Sequence, residues 1–215
     1  MAVKRQRAEH LGPERRRPLV LDAALPLFLE HGFAGTSIDM IAEAAGVTRP
    51  VIYDCYPNKE ELFHALLERE EGRLLERMLA ALPAEPNFDD VEALLTESFT
   101  AFLDAAAASP DSWRLVFLSE PGSDPEVARR VAGARTLVTD RIGELARLVL
   151  ARRGVDDAAR KAALVAHLMV GMGEASVRLM LSRPGEWTPE QLGPLLGRMT
   201  APAERVLADV DLRER

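Results

Sequence analysis

The sequence is short of several things at once. It holds a single cysteine in 215 residues, so no internal disulfide framework can form, and a reducing cytosol suits it. Aromatic residues make up only 5%. No segment sustains the period-two alternation of a half-buried strand, which argues against a sheet-based core and leaves helices. No apolar run reads as long enough to span a membrane, and the start MAVKRQRAEH lacks the apolar core of a signal peptide. Catalytic motifs are missing too. There is no His-Glu-x-x-His, no Gly-x-Ser-x-Gly, no glycine-rich phosphate loop and no dinucleotide fingerprint. The expectation is a cytoplasmic, all-α protein that is not an enzyme and takes no cofactor.

What is present is ordinary for a soluble globular chain: 47% hydrophobic and 28% charged residues, enough for one sizeable core or for a small and a medium domain. The net charge of −7 is unevenly spread. In residues 1–60, Lys4, Arg5, Arg7, Arg15, Arg16, Arg17, Arg49 and Lys59 are balanced by as many acids, so the whole excess lies further on. Residues 1–17 carry six of those positive charges against Glu9 and Glu14. They are polar, contain Gly12-Pro13 and lack an apolar period, so a disordered basic arm is expected. A basic arm ahead of an acidic body suits a DNA-binding protein; a solvated tail is the plainer alternative.

The chain is organised around residues 36–59, TSIDMIAEAAGVTRPVIYDCYPNK. Ile38, Ile41, Ala42 and Ala45 share one helical face, and Gly46 tolerates the left-handed backbone that ends a helix and turns sharply. A second short helix from about Thr48 turns Val51, Ile52 and Cys55 inward, with Val47 just before it. That leaves Thr48, Arg49, Pro50 and Tyr53 outward. This is a helix-turn-helix, whose second helix enters a DNA major groove. Arg49 suits a bidentate pair with guanine, and Thr and Tyr hydroxyls suit phosphates. Thr36 with Asp39 three residues on reads as a capping box over an anion-binding helix start. Lys59, in the first turn of the next helix, opposes the helix dipole, which a nearby phosphate would explain.

These residues carry a specific resemblance. His31-Gly32-Phe33, Thr36, Ile41-Ala42, Gly46-Val47-Thr48, Tyr53-Asp54-Cys55-Tyr56 and Lys59-Glu60-Glu61-Leu62 resemble the DNA-binding domain of TetR-family transcriptional regulators. The match departs at Cys55, where the family often has His, and at Tyr56, where Phe is commoner. The resemblance implies a three-helix DNA-binding domain over residues 18–62. It also implies a helical effector-binding and dimerisation domain over 63–215, about nine helices in all. Thr36, Thr48, Arg49, Pro50, Tyr53, Tyr56 and Lys59 become the expected DNA contacts. The implied partners are a palindromic double-stranded DNA operator, a small-molecule effector that releases a repressor, and a second copy of the chain joined through the last two helices.

Elsewhere the pattern predicts helices over residues 18–31, 59–81, 89–108, a short piece around Trp113–Leu118, 125–153 and 156–181, then one opened by a Thr188–Gln191 capping box. Pro194 and Pro202 should bend or split that last helix. The helix over 156–181 is so apolar that burial on most sides is expected, with Val170–Val177 at the dimer interface. Phe99, Phe102, Trp113, Phe117, His167 and Met169 are the candidate effector-pocket residues, against a reading of each as plain core. His167 and Glu174 share a helical face, but without a second ligand pair they are not a metal site. Two function classes follow: a ligand-responsive DNA-binding regulator, or an all-helical small-molecule-binding protein without DNA-binding activity. A gel shift on the protein's own upstream DNA separates them.

Overall fold

Gly12 lies extended ahead of Pro13, where a missing N–H costs a helix nothing, and the first helix starts there. In this computed structural model the described residues are 12–83, 86–118 and 125–209, and they are helical with no strand among them. Helix α1 (Pro13–Gly35) thus begins five residues before the expected Pro18, and residues 13–17 are helix rather than disordered arm. Partners distant in sequence hold this extension. Arg17 Nε donates to Cys55 O at 3.2 Å, its guanidinium sits 5.9 Å from the centre of the Tyr56 ring, and Cys55 Sγ lies 3.8 Å from Pro13 O. The rest of the expected arm, residues 1–11, falls outside the described residues.

The helices that follow are α2 (Ile38–Ala45), α3 (Arg49–Cys55), α4 (Lys59–Ala80), α5 (Val91–Ala107), α6 (Pro110–Trp113, continued by a π turn over Arg114–Leu118), α7 (Pro125–Arg152), α8 (Ala158–Ser182), α9 (Pro189–Thr200) and α10 (Ala203–Asp209). Pro194 is carried inside α9, whereas Pro202 splits off α10. The described residues form two compact units. One takes the described residues up to 73 with those between 111 and 131, the other those between 74 and 110 with those from 132 onward. The first unit runs on to Arg73, past the expected boundary at residue 62, and a segment from the middle of the chain joins it.

Ile41, Ile52, Leu62 and Leu66 lose all solvent exposure at the centre of that first unit, with Val20, Ala24, Phe28 and Leu115 around them. Burial of each large side chain contributes about 1.5–3 kcal/mol, which is what makes these few residues decisive. Leu115 belongs to the π turn, so the core beneath the helix-turn-helix is completed by residue 115. A buried charge cluster lies in the same unit. The Glu70 carboxylate, 1% exposed, accepts from Arg69 Nε at 2.8 Å, Arg73 Nη1 at 3.1 Å and Ser112 Oγ at 2.6 Å. Arg69 Nη1 also donates to Asp22 Oδ1 at 2.8 Å and Pro18 O at 3.2 Å.

The second unit is joined most tightly where α5 meets α9. Gly193 and Gly197, four apart, lie on one helical face against Thr100 and Thr96. A Cβ on Gly193 would stand 2.9 Å from Thr100 Cα, and one on Gly197 would stand 2.8 Å from Thr96 Cα. Only glycine permits that approach. The sequence reading placed both helices and missed this contact.

Helix α8 corrects two expectations. By length and composition alone its 25 residues, with a mean hydropathy of 1.4 in the best window, would cross a bilayer. In the fold one face of it packs inward. Ala162, Ala166, Gly173, Val177 and Met180 turn inward, and buried Lys161 donates to Leu207 O at 2.6 Å. It is not buried on most sides, however. Leu164 and Leu168 are 45% and 58% exposed, and Leu195 and Met199 on α9 are bare as well. Val170 and Val177, expected at an interface, face the interior of the protomer instead.

Candidate nucleic-acid interface and ligand cavity

The turn between α2 and α3 follows from Gly46. Its backbone is left-handed (φ 68°, ψ 31°), its N–H donates to Glu43 O at 3.1 Å, and the Val47 N–H donates to Ala42 O at 2.9 Å. This is the Schellman pairing, which satisfies the last carbonyls of α2 and sends the chain off at a fixed angle. Ile52 and Cys55 are then buried, and Thr48, Arg49, Pro50 and Tyr53 are exposed, as the inward–outward assignment requires. Pro50 sits in the first turn of α3, and Thr48 occupies the N-cap position with no hydrogen bond from its side chain to that turn.

Arg49 is the centre of the outer face. Its Nη2 donates to the Tyr53 hydroxyl at 3.2 Å, its Nη1 to Asp39 Oδ2 at 3.3 Å, and its guanidinium lies 5.6 Å from the centre of the Tyr53 ring. The tyrosine hydrogen bond first, and the aspartate charge second, raise its pKa above the ordinary arginine value, so it stays a cation at any working pH. The Arg49–Asp39 pair is exposed on both sides, and such pairs contribute little. Asp39 can therefore yield the guanidinium to a guanine edge or a phosphate, while Tyr53 continues to orient it.

Three of the expected DNA contacts are used inside the protein. Thr36 is 1% exposed, and its single hydroxyl proton lies between Gly32 O at 2.8 Å and Leu27 O at 3.1 Å. It closes the break at Gly32 (φ 69°) rather than facing a phosphate. The cap of α2 is Ser37, whose Oγ accepts from the Met40 N–H at 3.2 Å, so the Thr36–Asp39 capping box is replaced by a cap one residue later. Tyr56 is buried, its hydroxyl donates to Arg17 O at 3.4 Å, and burial raises the phenol pKa. Lys59 Nζ donates to Phe33 O at 2.8 Å and Thr36 O at 3.0 Å and lies 4.4 Å from the centre of the Phe33 ring. Those carbonyls account for a cation at a helix start without a phosphate, and leave it one donor.

The second unit holds a half-open cavity of about 340 Å³ among α4, α5, α7, α8 and the α9–α10 segment. Of the expected pocket residues, Phe99, Phe102 and Met169 line it. Trp113 and Phe117 do not. Their rings pack on each other at 4.4 Å in the first unit. His167 is exposed, with its Nδ1 2.7 Å from Ala163 O, and does not line the cavity. No group of metal-ligating side chains occurs among the described residues. Sequence reasoning missed Val138, Ile142 and Leu145 of α7, whose helical period marked them as apolar but not as facing a void. The lining carries one ionisable side chain among the described residues, Glu174.

Comparison with known proteins follows the same division. Residues 20–66 match the family of bacterial regulatory proteins, tetR family. The chain is 29% identical over 177 residues to the HTH-type transcriptional activator FasR of Mycolicibacterium smegmatis, covering 82% of this chain and 77% of that protein. It is 36% identical over 105 residues to the HTH-type transcriptional repressor SCO4008 of Streptomyces coelicolor, covering 49% of this chain and 50% of the relative. A TetR-like transcriptional regulator from Rhodococcus sp. RHA1 superimposes with a TM-score of 0.64 at 27% identity, over 90% of this chain and 96% of that one. A tetR-family transcriptional regulator from Streptomyces coelicolor gives 0.71 at 24% identity, over 94% and 85%, a likeness of fold. Residues 20–66 thus carry the helix-turn-helix of the tetR family of bacterial regulatory proteins, and the chain as a whole is similar along most of its length to helix-turn-helix transcriptional regulators of that kind.

Proposed function

We propose that this protein is a cytoplasmic homodimeric repressor that binds a palindromic operator through α2 and α3 and lets go when a small, mostly apolar molecule fills the cavity of its second unit. The observation that carries the reading is a 340 Å³ apolar cavity in a chain whose helix-turn-helix keeps Thr48, Arg49, Pro50 and Tyr53 outward. Leu164, Leu168, Leu195 and Met199 supply a bare apolar face on α8 and α9, which a second copy would cover. A two-fold dimer matches an operator with two half-sites one helical turn apart, roughly 34–36 Å. Helix α4 carries Lys59 at one end and Met78, in the cavity wall, towards the other. A ligand that displaces the cavity end of α4 changes the spacing of the two recognition helices.

By linkage the ligand and the operator must then weaken each other by the same factor. The test is fluorescence anisotropy of the protein on its own upstream DNA, with the Arg49→Ala variant beside it. Wild-type binding that the variant loses or makes unselective supports the reading. A failure of the wild type to bind any such DNA leaves an all-helical small-molecule-binding protein. Sedimentation of the wild type as a monomer at micromolar concentration would remove the dimer.

A further inference from the structure

The polar groups in the cavity wall are few, and most are already paired. Ser98 Oγ donates to Leu94 O at 2.7 Å and Thr200 Oγ1 to Leu196 O at 2.7 Å, each within its own helix. Glu174 is different. It presents both carboxylate oxygens to Arg135, at 2.9 Å from Nε and 3.0 Å from Nη2.

The two members of this pair are unequally placed. The Arg135 side chain is 52% exposed and that of Glu174 20%. An arginine on a long stem at the rim can return its guanidinium to water at little cost. The carboxylate, on a short stem in the wall of α8, cannot follow. Left alone among apolar side chains it would be heavily penalised, so whatever enters must bring it a cation or leave Arg135 in place. Phe102 adds a second attraction. Its ring lies against Gly173, the residue before Glu174, 3.0 Å from where a Cβ would stand, and it lines the same cavity. The face of such a ring attracts an ammonium group.

We infer that the effector is a lipophilic cation, whose apolar body fills the cavity and whose ammonium-type head takes the place of Arg135 on Glu174. The inference rests on the reading of this cavity as the effector site. It disfavours long-chain carboxylates, because an anionic head could reach Arg135 only by stranding Glu174. The residues beyond 60, which hold the whole negative excess of the chain, add a weak long-range pull of the same sign.

Isothermal titration of the full-length protein with three probes sharing a decyl chain tests this: decyltrimethylammonium, decanol and decanoate, all below their micellar concentrations. The ammonium should bind about tenfold or more tightly than the alcohol, as a buried charge-assisted contact demands, and decanoate more weakly than either. Glu174→Gln should bring the ammonium down to the level of the alcohol and leave the alcohol unchanged. Arg135→Gln should strengthen ammonium binding, since no guanidinium has then to be displaced. Equal affinity for all three probes, or a preference for decanoate, overturns the inference while the apolar effector site stands, because decanol alone reports on that site. Failure of decanol and the ammonium alike to bind overturns the effector site itself.

Discussion

The two compact units of this protein are held together by opposite means. In the first, polar side chains are turned inward and matched. Thr36 and Lys59 fasten the turn between α1 and α2, Arg17 fastens the start of α1 to the end of α3, and the Glu70 carboxylate joins two arginines to Ser112. In the second, the strongest junction is a bare approach of two helices across Gly193 and Gly197, and beside it lies an apolar cavity. Hydrogen bonds demand specific partners at specific distances; apolar walls demand only shape. On the function proposed above, the first unit must hold its recognition helix at one angle, and the second must admit a guest. Each is built by the kind of interaction that suits its task.

The largest loss is expected from Glu70→Ala. It would leave Ser112 Oγ and Arg69 Nε without their acceptor, on an arginine whose Nη2 already lacks a hydrogen-bond partner. Loss of one member of a buried ionic cluster should cost about 3–5 kcal/mol in urea denaturation, and a cost below 1 would show the cluster to be ornamental. Gly193→Ala comes next. Its methyl would meet the backbone at Thr100, so α9 must shift away from α5, at about 1–3 kcal/mol. If this variant is as stable as the wild type, the close approach is not what joins the second unit.

Lys59→Met should cost roughly 1–2 kcal/mol, because the carbonyls of Phe33 and Thr36 lose a charged donor. Unchanged unfolding would return Lys59 to the surface reading. The smallest effect is an alkaline one. Burial raises the Cys55 thiol pKa, so the folded state favours the protonated form. That contribution is complete below the unfolded thiol's pKa and is lost as pH rises through the higher folded value. Cys55→Ala should therefore flatten part of the fall in stability above about pH 9, the ordinary thiol range. An identical fall in the variant would assign it to other groups, Tyr56 among them.

How far the sequence could be read follows the same division. The helix-turn-helix was legible because Gly46 and the apolar spacing around it are local signals, and so was the outward placement of Arg49 and Tyr53. The internal partners of Thr36, Tyr56 and Lys59, among them Gly32, Arg17 and Phe33, were not legible because they are set by how the chain folds back on itself. In the second unit the helices were found, but helical period cannot separate a side chain packed in a core from one facing a void. Hence Trp113 was placed in the cavity and Ile142 was not. The residues 193–197 read as an ordinary proline-interrupted helix, and only the neighbouring Thr96 and Thr100 explain their two glycines.

Leu115 limits what can be exchanged between proteins of this build. The DNA-binding half of such a regulator is tempting to cut out and fuse to a foreign sensor, and a cut after residue 62 looks natural from sequence. Here that cut would remove Leu66, Leu67 and Leu115 from the core and both Glu70 and Ser112 from the buried cluster. A working chimaera would have to carry α4 to Arg73 and import the 111–118 segment as well. The recognition surface is modular in appearance; its foundation is threaded through two separate stretches of the chain.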